Sequence, residues 1–91
     1  MEINDLLFRY LTRLKLAPIS MKKTELNKNL STFPKEKREE TLSKAVNNGL
    51  LGFSKIPPTQ KSKKTICVYS ITKKGERLLE KYDKEIKKLI N

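Results

Sequence analysis

The chain has a single cysteine, Cys67, and no histidine. A weak nucleophile needs a base beside it, and a structural zinc site needs four thiolate or imidazole ligands. Neither can be assembled from this set, so no catalytic residue, no metal and no cofactor is expected, and the chain does not read as an enzyme. Glu39 and Glu40 are neighbours in sequence. Adjacent positions on a helix do not face each other, so they make no acid–base pair. What the chain has in excess is positive charge. Twenty-one Lys and Arg stand against ten Asp and Glu, a formal net charge of +11. That excess on 91 residues implies a polyanionic partner, nucleic acid before a membrane surface. The cations cluster. Between Phe53 and Gly75 lie Lys55, Lys61, Lys63, Lys64, Lys73 and Lys74, without one acid.

The spacing of apolar residues predicts the elements that must carry these cations. Over 3–16, Ile3, Leu6, Leu7, Tyr10, Leu11 and Leu14 recur every three or four residues, an amphipathic helix ended by Pro18. Ser20 is placed as N-cap of a second helix over 21–30, with Met21, Leu26 and Leu30 inward, Glu25 at the edge and Lys22, Lys23 and Lys28 outward. Pro34 suits the first turn of a third helix reaching Asn48, with Thr32 or Phe33 as its cap and Leu42, Ala45 and Val46 on its inner side. Gly49 is placed to end it in the left-handed conformation. The period then changes. Residues 50–56 and 65–71 read as strands joined by a long polar, basic tip. Thr72 caps a last helix over 73–90. The order is α-α-α-β-β-α, an α+β fold in one domain over 1–91.

Two segments sharpen that order into a resemblance. Leu42-Ser43-Lys44-Ala45-Val46-Asn47-Asn48-Gly49-Leu50-Leu51 resembles the end of a recognition helix entering a hairpin wing. Tyr69-Ser70-Ile71-Thr72-Lys73-Lys74-Gly75 is similar to the Y-x-L-T-x-K-G segment of MarR- and PadR-type regulators, where the second wing strand passes into a C-terminal helix. The resemblance covers roughly residues 3–90. It implies a winged helix-turn-helix protein that binds double-stranded DNA in a sequence-specific way, as a small transcriptional regulator. The third helix would lie in the major groove and the helix before it across the backbone. Carried over by position, the base readers are Thr32, Lys35, Lys37, Arg38, Thr41 and Lys44. Arg38 is the preferred guanine reader, because its fork fits O6 and N7 together. Lys55, Lys61, Lys63 and Lys64 of the wing would hold phosphate or enter the minor groove. Lys22, Lys23 and Lys28 would add backbone contacts. Glu36, Glu39 and Glu40 are expected to pair with lysines along the third helix.

The remaining residues fit packing. Phe8, Phe33 and Phe53 are expected in the core or at its edge, Tyr69 packed, and Cys67 a small core residue. Leu79, Tyr82, Ile86 and Leu89 follow a three-four-three spacing close to a coiled-coil seam, which implies a homodimer on two half-sites of a near-palindrome. No apolar run reaches the length of a membrane span. The acidic start MEINDLL is unlike a signal peptide. A cytoplasmic, nucleoid-associated location, no membrane partner and no small-molecule effector are therefore expected. Two other readings fit the same residues: a replication or genome-maintenance factor with little sequence choice, and a winged-helix module that meets protein or RNA.

Overall fold

Asn4 opens the first helix. Its side-chain oxygen accepts the Leu7 amide at 2.8 Å, one of the donors that the first turn of a helix leaves unpaired. The helix, α1, runs Asp5–Leu16 and buries Leu6, Leu7, Tyr10, Leu11 and Leu14 on one stripe. It stops at Ala17, whose ψ of 140° is the extended value imposed on a residue before proline. The structure, a computed structural model, describes residues 4–17, 20–60 and 63–90, with the side chains of 85–90 left aside.

The second helix departs from expectation. Met21–Lys22 is a short strand, β1, and only Lys23–Leu26 is helical, as α2. Ser20 does not cap it; Lys22 holds the cap position and makes no side-chain cap bond. Met21 pairs with Tyr69 and Lys22 with Val68, so a distant strand takes the backbone that would have begun the helix. The far end is closed early as well. Asn29 adopts φ +64°, a left-handed value that asparagine tolerates better than most residues. Arg13 reaches from α1 to donate Nη1 to the Leu26 and Lys28 carbonyls. Leu26 and Leu30 are fully buried, as their spacing predicts, whereas Glu25 is exposed.

Helix α3 spans Lys35–Asn47, with Pro34 as N-cap rather than inside the first turn. Gly49 takes φ +74° after it, which suits the one residue type without a Cβ. Strands β2 (Leu51–Ile56) and β3 (Ile66–Ile71) form an antiparallel hairpin, paired from Leu51↔Ile71 to Ile56↔Ile66. With β1 they make a three-stranded sheet in the order β1-β3-β2. Helix α4, Lys73–Ile90, follows; the Thr72 hydroxyl accepts the Gly75 amide at 3.1 Å, the cap its position predicts. The chain is thus an α+β fold with four helices and a three-stranded antiparallel sheet.

The core joins all of these. Leu7, Tyr10, Leu11, Leu26, Leu30 and Ala45 are fully buried, and Leu42, Leu50, Leu51 and Leu79 nearly so. Tyr10 is the largest of them, and its hydroxyl donates to Asn27 Oδ1, tying α1 to the end of α2. Burial pushes the Tyr10 phenol up to about 12, against the opposing pull of the Arg38 and Arg13 guanidiniums. The fold therefore prefers the protonated phenol. That preference is fully present below pH 10, the ordinary phenol value, and is lost as pH rises towards about 12. Tyr10→Phe should cost about 0.5–1.5 kcal/mol at neutral pH through the lost hydrogen bond. It should also lose less stability than the wild type through the alkaline range. Urea unfolding at neutral and alkaline pH checks this, and parallel losses in both proteins would contradict it.

Candidate nucleic-acid interface

Helix α3 divides into two flanks and a crest. Its buried face is Arg38, Thr41, Leu42 and Ala45, at i, i+3, i+4 and i+7. Thr41 is 7 % exposed, and its hydroxyl donates to the Lys37 carbonyl at 2.8 Å, which satisfies it inside the domain. This corrects the expectation that Thr41 faces a ligand. Arg38 is half-buried, and its Nε is buried without a hydrogen-bond partner among the described residues. It lines a groove of about 300 Å³ between α2 and α3, with Lys23, Thr24, Asn27, Lys35 and Glu39. Arg38 therefore sits in this groove and not on the open side of α3. Thr32, Lys35, Lys37 and Lys44 are exposed. So are Ser43 and Asn47 on the crest, which are not among the expected base readers. Their signal was present, since both lie opposite Leu42 and Ala45 on a helical wheel.

Two of the three α3 carboxylates are paired, one of them away from the helix, whereas Glu36, expected to pair, forms no ion pair among the described residues. Glu40 pairs with Lys44 at 2.7 Å, one turn away. Glu39 instead reaches across to Lys23 on α2 at 3.1 Å. Hydrogen bonding and charge from Lys23 hold the Glu39 carboxyl below the usual range, with Lys35 and Arg38 adding to it. Lys44, and then Lys37, do the same for Glu40. Both acids are ionised at neutral pH. Lys23 and Lys44 consequently enter any encounter with a polyanion already paired, whereas Lys35 and Lys37 form no ion pair among the described residues.

The hairpin leaves the body of the domain. Side chains alternate across a strand, so Leu51, Phe53 and Lys55 share one face with Ile71, Tyr69 and Cys67. Leu51 is 3 % exposed, Phe53 already 40 %, and Lys55 beyond it is open to solvent. Phe53 therefore lies outside the core, with its ring tilted on Tyr69 at 5.1 Å. Phe8, Phe33 and Cys67 do pack at the core's edge. Lys63 and Lys64 are exposed on the segment between the strands, and Lys61 lies outside the described residues. The register Met21–Tyr69–Phe53 sets β1 and the inner face of the hairpin side by side. Helix α2 packs against β3, and burial raises the Tyr69 phenol against the opposing charge of Lys23. Lys22 stands apart from this face: it is a strand residue, opposite Val68 on the other face of the sheet. Lys28 is exposed in the turn after α2.

The expected dimer seam needs correction. Leu79 is 2 % exposed within its own domain, and Tyr82 is half-buried with its ring 5.0 Å from that of Phe8. Leu79 is thus part of the domain's own core, and Tyr82 packs on Phe8 of α1. Ile86 and Leu89 fall outside the described side chains. No described helix is long and apolar enough to cross a membrane. Among the described residues no group of three His, Cys, Asp or Glu could hold a metal. No protein-family model, no curated protein and no solved structure matches the chain.

Proposed function

We propose that this chain is a winged-helix protein that binds double-stranded DNA, reads sequence through α3 and acts as a small transcriptional regulator. The supporting observation is the hairpin: Lys55 on its first strand and Lys63 and Lys64 on the segment between its strands are exposed, with no acid between Phe53 and Gly75. A lysine is a flexible point charge, suited to phosphate and poor at telling bases apart. Affinity is therefore assigned to the hairpin. Discrimination is assigned to the open side of α3, where Lys37, Ser43, Lys44 and Asn47 offer donors, and Asn47 an amide able to pair with adenine N6 and N7. Lys44 can serve only by leaving Glu40, and Lys23 only by leaving Glu39.

The proposal includes a homodimer held by the end of α4, where the sequence remains apolar at Ile86 and Leu89. Selection from a random duplex pool tests the specificity. An enriched, near-palindromic motif is expected, and Lys37→Ala/Asn47→Ala should change the preferred bases while most of the affinity remains. Binding with no enriched motif would replace the regulator by a DNA binder of little sequence choice, such as a genome-maintenance factor.

A further inference from the structure

The outer side of α4 belongs to neither the proposed reading surface nor the core. Taken at about 100° per residue, the helix sorts its side chains into three sectors. Gly75, Leu78, Leu79 and Tyr82 form the inward one, buried or half-buried. Glu76, Glu80 and Asp83 form the second. Lys74, Arg77, Lys81 and Lys84 form the third, all four exposed. The three-four-three spacing of the cations continues in sequence to Lys88.

A solvated helix gains from opposite charges four residues apart and loses from like ones. On α4 both kinds occur: Arg77–Lys81 and Glu76–Glu80 are like pairs, whereas Glu80–Lys84 is an opposite one. Among the described residues Arg77, Lys81 and Lys84 form no ion pair; the pairs present are Asp5–Arg9, Lys23–Glu39 and Lys44–Glu40. Glu80 lies three residues from Arg77 and four from Lys84, and Glu85 four from Lys81. Lys74 donates to the Asn48 carbonyl at 2.8 Å, which fixes the start of the stripe against the end of α3. From there a groove of about 260 Å³ runs under Lys74, Arg77 and Lys81.

We propose that this basic stripe of α4 is a second surface for the phosphate backbone of duplex DNA, separate from α3 and the hairpin. The assignment of DNA as the polyanion rests on the reading above. Lys74 to Lys84 spans about 15 Å along the helix, about the axial rise of four base pairs of duplex. An anionic membrane fits less well. A helix lying in a membrane surface must give its apolar side to lipid, and on α4 Leu79 is buried in the core and Tyr82 packs on Phe8.

The test is equilibrium binding of a fluorescent duplex to the full chain over a range of salt. It compares wild type, Arg77→Ala/Lys81→Ala/Lys84→Ala, and Lys55→Ala/Lys63→Ala/Lys64→Ala. Lys15→Ala, one exposed cation on α1, measures the effect of bulk charge alone. The α4 variant should flatten the slope of log K against log salt by up to about 2.7, well beyond three times the Lys15→Ala effect, with its circular dichroism unchanged. A slope no flatter than bulk charge predicts would overturn the inference and leave the hairpin reading standing. Loss of slope in the α4 variant but not in the hairpin variant would support α4 as the DNA surface and sink the hairpin. Unaltered duplex binding, with lost binding to phosphatidylserine vesicles, would assign the stripe to membranes and overturn the proposal.

Discussion

Gly75→Ala lowers stability by about 1–3 kcal/mol in this account, although the same change in an open helix interior raises it by about 1 kcal/mol. The sign reverses because of what lies beside the first turn of α4. A Cβ at Gly75 would run into the Leu50 carbonyl oxygen and press on Ile71 Cγ1 at 3.0 Å. The carbonyl cannot swing aside. It already accepts the Thr72 amide at 3.2 Å and the Thr72 hydroxyl at 2.9 Å, bonds that anchor the start of α4 to the root of the hairpin. Relief would need α4 to lift from that root, disturbing the packing of Leu50 and Leu79. For a domain of this size each kcal/mol moves the melting temperature by about 4–8 °C. Thermal unfolding followed by circular dichroism should show a clear fall, and an unchanged or higher midpoint would contradict the packing described.

The largest functional effect is expected from Lys55→Ala/Lys63→Ala/Lys64→Ala. All three side chains are exposed, so stability should change little. Each phosphate contact contributes about 0.9 to the slope of log K against log salt, so three lost contacts flatten it by up to about 2.7. Near 0.1 M salt that amounts to a loss of about two to three orders of magnitude in affinity. The preferred sequence should survive, because point charges on a hairpin tip hold backbone rather than bases. A variant that binds as tightly as wild type would remove the hairpin from the interface. One that loses sequence preference while keeping its salt slope would assign the hairpin to base reading instead.

How much of this could be read beforehand depended on which forces were local. The apolar stripe of α1, the extended Ala17 before Pro18 and the left-handed Gly49 follow from rules acting within a turn or two, and they were legible. Strand β1 was not, because two residues carry no period and their pairing partner on β3 lies more than forty positions away. That pairing also cut the expected second helix to one turn. Thr41 and Arg38 were misplaced because the buried stripe of α3 contains polar members, and a pattern of apolar residues alone misses them. Leu79 shows a different gap. An amphipathic stripe tells that a face is covered but not by what, and here its own domain covers it. For Phe53, an apolar ring in a strand implied packing, and residue type is silent on where the hairpin leaves the core.

The central claim is that the exposed cations meet the backbone of duplex DNA. Its most direct test is titration of the wild-type chain with a fluorescent duplex, one random and one from upstream of its own gene, at several salt concentrations. Tight binding at low salt, a steep fall in log K as log salt rises, and a preference for the upstream duplex are expected. Absence of binding at low salt would contradict it outright.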